Sequence, residues 1–248
     1  VPAEDLRNLT RFIAGNQNLK TLLILSGRKI LPMKEPGVHK CKPLMKLIFA
    51  TNNEHKVQEI RHAIGNDFEL LSLKEAGIDI DIPEPHDTIE ENASEKSRVI
   101  YEMTHTNCFS EDTGLEVTAL GGEPGVHSAR YAGDERSFEK NIDKVLTNLA
   151  RHTDRSARFR TVISLILDGK ETRFEGICTG RIVHERRGSG GFGYDPVFIP
   201  DGADISFAEM TLAEKEQFSH RAKATAKLVA FLASVTSFGK SLETKTKT

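Results

Sequence analysis

Cysteine is scarce: Cys41, Cys108 and Cys178 stand far apart, with no Cys-x-x-Cys pair among them. That spacing argues against a zinc centre or a disulfide framework and makes a reducing compartment the default. Long apolar runs are missing too. The longest near the start, Leu22-Leu23-Ile24-Leu25, is far too short to span a bilayer. It follows a mixed stretch rather than a short basic one, which makes a poor secretion signal. A cytoplasmic location and no membrane association are expected. Nor does one charge dominate, with 34 Lys and Arg against 36 Asp and Glu. A protein that coats nucleic acid carries a strongly basic face, so nucleic acid is not expected as a partner. A small polyanion held in a local basic pocket stays compatible. No internal repeat and no Walker A pattern occur.

What is present suits one large or two-lobed domain, at 248 residues. Composition shifts at residue 45. Residues 1–44 carry Pro2, Pro32, Pro36 and Pro43 among weak apolar patches. They read as an N-terminal extension, disordered or upstream of a natural start at Met45. Residues 45–235 read as the functional domain and 236–248 as a flexible tail.

Lys46 to Ala50 reads as a buried strand. It ends in Thr51-Asn52-Asn53-Glu54-His55-Lys56, and Asn53 caps a helix with Val57, Ile60 and Ile64 on one stripe. A strand, a polar turn and a helix start can hold phosphate through backbone N–H groups, with Lys56 adding charge. A plain capped turn accounts for the same residues. A strand over 68–73 follows, and Ile78 to Pro85 alternates like an edge strand stopped by prolines, with Glu84 between Pro83 and Pro85. Thr88-x-x-Glu91 is a capping box for a helix that carries Lys96. Phe109 then leads into Glu111 and Asp112, which read as acids at a strand end before a Thr113-Gly114 turn.

Ser137 caps a helix with Phe138, Ile142, Val145 and Leu149 on its apolar stripe. Residues 157–167 and 174–183 form a hairpin through Asp168-Gly169. Gly188 to Pro196 places Phe192 and Tyr194 within four glycines, a loop suited to a flat ligand. Thr211-x-x-Glu214 caps a further helix. Ser219-His220-Arg221 opens the last one, expected to turn Ala222, Ala226, Val229 and Leu232 inward. Strands and helices mix without strict alternation, so the fold class expected is α/β with a mixed sheet.

Taken together, carboxylates, lysines and phosphate-cradling backbone suit metal-assisted attack on a phosphoanhydride. Acids would hold a hard cation such as Mg²⁺, and cations would absorb charge developing at phosphorus. Phe192 offers a stacking face, and His220-Arg221 offer donors to a ring carbonyl.

From Met45 to about Leu232 the chain resembles the inosine triphosphate pyrophosphatase family, the dITP/XTP pyrophosphatases. The resemblance rests on Thr51 to Lys56, Glu91-Asn92-Ala93 with Lys96, Asp112-Thr113-Gly114-Leu115 and Pro124-Gly125 through Ser128-Ala129-Arg130-Tyr131. It continues in Gly191-Phe192-Gly193-Tyr194-Asp195-Pro196 and Ser219-His220-Arg221. Two departures stand out: Glu111-Asp112-Thr113-Gly114 where the family commonly has Asp-Asp-Ser-Gly, and Asn52 where it often has glycine. The resemblance implies a long twisted mixed sheet flanked by helices, in two lobes with the active site between them. It also implies a homodimer that hydrolyses ITP, dITP or XTP to the monophosphate and pyrophosphate with Mg²⁺, cleansing the nucleotide pool. Carried over by position, Thr51, Asn52, Asn53, Glu54, His55, Lys56 and Lys96 would hold the triphosphate. Glu84 and Asp112 would bind the metal, Asp112 also accepting the proton of the attacking water. Thr113, Phe192, Gly193, Tyr194, Asp195, Lys215, His220 and Arg221 would contact the nucleotide. The alternatives are a pyrophosphatase for other modified nucleotides and a catalytically silent nucleotide-binding module.

Overall fold

The computed structural model describes residues 45–64 and 68–245; the extension expected over 1–44 lies outside the described residues. The elements are β1 (Met45–Phe49), α1 (Glu54–Ile64), β2 (Phe68–Ser72), α2 (Ile89–Thr104), β3 (Cys108–Val117) and β4 (Pro124–Gly125). They continue with α3 (Phe138–Asn148), β5 (Ser156–Leu167), β6 (Lys170–Ile182), β7 (Phe198–Pro200), α4 (Leu212–Phe218) and α5 (His220–Lys245). The strands form one mixed sheet in the order β2-β1-β3-β5-β6-β7, with β4 paired to β3. β1 runs parallel to β2 and β3, and the remaining pairs are antiparallel. Among the described residues no helix is long and apolar enough to cross a membrane.

Side chains alternate across a strand, and both faces of this sheet are covered. Leu47, Phe49, Phe109 and Leu165 pack under Ile60 of α1 and Leu228 of α5. Their neighbours Ile48, Cys108 and Ile166 face the other way, onto Ile100 of α2. A separate core gathers Leu115, Val117, Phe159, Phe198 and Phe207 with Val145 of α3. β3 therefore starts in the first two cores and ends in the third. Between them lies its polar stretch, Glu111-Asp112-Thr113, which is where the expected cleft between two lobes falls.

The local signals hold. The Thr88 and Thr211 side chains accept the backbone N–H groups of Glu91 and Glu214, and Ser137 accepts that of Lys140. Asp168 and Gly169, both at positive φ, turn the β5–β6 hairpin.

Four expectations are corrected. Glu111 to Gly114 continue β3 and do not end it, pairing with Ile163 to Arg160 of β5. Gly114 is needed for space, not for a turn: a Cβ there would meet the Gly125 carbonyl oxygen at 2.6 Å. Ile78 to Pro85 joins no ladder. Ile82 is buried in the α2-side core, Asn52 Nδ2 donates to Ile80 O at 2.8 Å and Arg130 Nη2 to the Glu84 carbonyl, so burial and side-chain bonds hold the segment. In α5 the inward residues are Ala224, Leu228 and Leu232 with Arg221 and Thr225; Val229 packs partly against the same core, as expected, while Ala226 is exposed. The inward stripe includes a buried arginine, which an apolar pattern cannot anticipate. Finally, α5 continues through residues 236–245, the stretch expected as a tail, which contains no proline to stop it.

Candidate active site

The polar middle of β3 opens onto a trough with two joined compartments. One encloses about 770 Å³, partly open to solvent, walled by Leu115, Val126, Phe138, Phe159 and Phe192. The other, of about 840 Å³, is lined by Thr51, Asn52, Lys96 and Arg136. Asn53, Lys56, Glu84 and Ala129 border both. The shape suits a ligand with a flat apolar end and an anionic end. Phe138, expected in the core, is exposed and its ring packs against that of Phe192, centroids 6.2 Å apart, on the wall of the apolar compartment.

The turn after β1 is fixed by its own side chains. Thr51 Oγ1 accepts the N–H of Asn53 at 3.2 Å, and Asn53 Oδ1 accepts that of Lys56 at 3.2 Å. Asn52 is not among the residues with positive φ, so its backbone does not require the family's glycine. Not every residue of the turn faces the trough. Glu54 is exposed, with Lys74 at 4.0 Å, and lines neither compartment. His55 lines neither as well; its ring stacks on Phe192, centroids 5.1 Å apart and 12° from parallel.

At the junction of the compartments, Lys96 of α2 joins two carboxylates. Its Nζ donates to Glu84 Oε1 at 2.7 Å and to Asp112 Oδ1 at 3.2 Å. Arg130 Nη2 donates to the Glu84 carbonyl at 3.1 Å, holding the proline-flanked segment in place. Burial pushes the Glu84 pKa up, but Lys96, Lys56 and Arg130 overcome that and hold it below the usual range. Asp112 goes the other way: burial raises its pKa against the pull of Lys96 and Lys56, with Glu84 adding to the rise. Its Oδ2 is buried and has no hydrogen-bond partner among the described residues. A buried carboxylate oxygen without a partner is costly, and a cation or a water would satisfy it. No group of three or more acidic, His or Cys side chains that could hold a metal occurs among the described residues. Two carboxylates suffice for Mg²⁺ when substrate phosphates and water complete its shell.

Behind the apolar compartment the charges are already matched. Arg221 Nε donates to Glu111 Oε2 at 2.8 Å and Nη2 to Glu111 Oε1 at 2.7 Å, while Nη1 binds Glu59 and Nη2 also reaches Thr113 Oγ1. Lys56 Nζ lies 3.1 Å from Glu111 Oε1. Lys215 Nζ donates to Glu59 and to Asp195 Oδ2, both at 2.7 Å. Burial alone would raise the Glu111 pKa, but Arg221 and Lys56 hold it far below the usual carboxylate range. The Arg221 guanidinium, expected to offer a donor to a base, thus commits most of its donors to Glu111, Glu59 and Thr113. Its charge, with that of Lys215, lies 5.5 Å and 5.1 Å from the Phe192 ring centre, where a cation favours the aromatic face. Thr113 Oγ1 also meets Thr161 Oγ1 at 2.6 Å.

The aromatic glycine loop is tied down in the same way. Asp195 Oδ2 accepts the Phe192 N–H at 2.9 Å, and Tyr194 Oη donates to the Ser128 carbonyl at 2.8 Å. Tyr194 and Asp195, expected as nucleotide contacts, border the apolar compartment with Gly193 and also brace the loop. His220 stacks on Phe159 with centroids 4.6 Å apart, and its buried Nδ1 has no partner among the described residues. Glu59, Phe159 and Arg136 escaped the sequence reading. Glu59 follows Lys56 by three positions on α1, which put both on one face, but nothing in the sequence separates it from a solvated acid.

The profile of the Ham1 family matches residues 47–231. The chain belongs to the Ham1 family. A "dITP/XTP pyrophosphatase" of Christiangramia forsetii is 50% identical over 188 residues, 76% of this chain and 99% of that protein. One of Porphyromonas gingivalis is 52% identical over 188 residues, 75% of this chain and 97% of that protein. The Staphylococcus aureus Ham1 protein superposes with a TM-score of 0.70 at 39% identity, covering 76% of this chain and 98% of that one. The Coxiella burnetii HAM1 protein gives 0.71 at 34% identity, covering 77% and 100%. The long mixed sheet flanked by helices is thus the fold of this Ham1 protein.

Proposed function

We propose that this Ham1 protein hydrolyses non-standard purine nucleoside triphosphates, ITP, dITP and XTP, to the monophosphate and pyrophosphate. The observation that carries the reading is Asp112 Oδ2, buried and unpartnered where an aromatic compartment meets a cationic one. The names of its relatives point the same way.

In this reading the purine lies against Phe192 in the apolar compartment. The phosphates run past Thr51, Asn52 and Asn53, with Lys56 and Lys96 drawing off negative charge. Glu84 and Asp112 would hold Mg²⁺, which would neutralise the phosphate oxygens when bound. Asp112 accepts the proton of the attacking water, a task for which a raised carboxylate pKa is suited. Lys96 keeps both carboxylates in place through its two hydrogen bonds. A homodimer and a cytoplasmic location belong to the same proposal, the latter supported by scarce, widely spaced cysteine.

Pyrophosphate release from ITP, XTP, dITP, ATP and GTP, with Mg²⁺ and with chelator, tests the reading. Fast release from the first three, slow release from the last two and loss with chelator are expected. Equal rates on all five, or no release from any, would overturn it.

A further inference from the structure

Arg136 is the cleft-lining cation that nothing so far explains. It stands just before Ser137, the N-cap of α3, and its backbone has a φ of 53°. Residues with side chains seldom adopt that left-handed conformation, which glycine or asparagine usually fills. Its guanidinium has no hydrogen bond or ion pair with any described residue. Every other Lys or Arg lining the trough has a carboxylate: Lys56 has Glu111, Lys96 has Glu84 and Asp112, Lys215 has Glu59 and Asp195, and Arg221 has Glu111 and Glu59. Arg136 borders the polar compartment only. Phe138, two residues on, borders only the apolar one. A single turn therefore presents a free forked cation to one compartment and a ring to the other.

We propose that Arg136 grips the pyrophosphate end of the triphosphate, the two phosphates that leave. The inference rests on the triphosphate reading above. With the base against Phe192, the outer phosphates lie furthest from the apolar compartment. A planar guanidinium matches phosphate oxygens two at a time. The contact exists in bound substrate and in bound pyrophosphate alike, so it strengthens binding without favouring the transition state. Its loss therefore appears in KM and in product inhibition, and far less in kcat.

The test uses the full chain with Arg136→Gly and Arg136→Lys. Glycine accepts the left-handed backbone, so removal of the guanidinium leaves the turn unstrained. With Mg²⁺ and ITP, Arg136→Gly is expected to raise KM and the inhibition constant of inorganic pyrophosphate together, by about tenfold or more for one charge-assisted contact. Inhibition by IMP should stay unchanged, and Arg136→Lys should recover part of the loss. Unchanged pyrophosphate inhibition in both variants, or equal weakening of IMP and pyrophosphate, would overturn the proposal. Failure of the wild-type chain to turn over ITP would instead sink the triphosphate reading. In that event calorimetric binding of magnesium pyrophosphate still decides the role of Arg136, and equal affinity in wild type and Arg136→Gly overturns it.

Discussion

Glu111 and Asp112 are neighbours on β3, yet the charges around them differ in number and geometry. Glu111 takes three short contacts from Arg221 and one from Lys56, and both its oxygens are used. Asp112 has one contact from Lys96, shared with Glu84, and one oxygen left over. Glu111 belongs to a closed ladder, Lys56–Glu111–Arg221–Glu59–Lys215–Asp195, that braces the wall behind Phe192. Asp112 belongs to an open cluster facing the phosphate compartment. A matched buried charge serves geometry, whereas an unmatched one is available for chemistry.

Removing each charge in turn breaks the comparison. Asp112→Asn keeps shape and loses the base; kcat should fall by about 10²–10⁴ while nucleotide binding persists. Because the buried charge disappears with it, the melting temperature should hold or rise. Near-normal kcat in steady-state assays would remove Asp112 from the mechanism. Glu111→Gln should do the reverse to stability. It leaves Arg221 buried with Glu59 as its remaining carboxylate, and breaking such a pair costs about 3–5 kcal/mol. Calorimetric melting should show a drop of roughly 10 °C for a domain of this size. An unchanged melting temperature would mean that the ladder contributes nothing to the fold.

The two regions were not equally legible in the sequence. Caps at Thr88, Ser137 and Thr211 and the Asp168-Gly169 hairpin use residues at most three apart, so local spacing reveals them. The acids, lysines and aromatic loop that line the trough stood out as polar outliers, and their motifs carried the family resemblance. The matching of charges did not stand out. Arg221 meets Glu111 across 110 positions and Glu59 across 162, and no local pattern encodes such a pairing. Gly114 misled for the same reason, since its cause is the Gly125 carbonyl brought up by β4. His55 entered only through the family resemblance, and nothing local announced that its ring stacks on Phe192.

A smaller effect probes the apolar compartment. Phe192 is stacked by His55 and has two cations near its face, so its grip on a base is not specific to one ring. Phe192→Ala should weaken every purine alike, by about 1–3 kcal/mol. In assay terms KM rises for ITP and ATP together and their ratio of kcat/KM holds. A changed ratio would make Phe192 a selecting residue. The ladder should be untouched, so the melting temperature should shift far less than in Glu111→Gln.

The smallest effect concerns His220, which joins the two comparisons. Its ring is buried against Phe159, and burial holds its pKa well below 6.5, with Arg221, Lys215 and Lys56 pushing the same way and Glu111 opposing. The unfolded chain takes up this proton near pH 6.5 and the fold refuses it. A depressed folded pKa means the stabilisation is complete above pH 6.5 and is lost as the pH falls toward the folded value. The slope for one such group reaches at most about 1.4 kcal/mol per pH unit. His220→Phe keeps the stack on Phe159, cannot take a proton, and removes the unpartnered Nδ1. Melting temperatures at pH 7.5 and 5.5 should therefore fall less in the variant than in the wild type, with the variant no less stable at pH 7.5. The other histidines are common to both proteins, so the difference isolates His220. Equal slopes would mean that the folded protein does accept the proton. His220, which lines the apolar compartment, would then carry N–H donors on both ring nitrogens, in keeping with the donors expected of His220-Arg221.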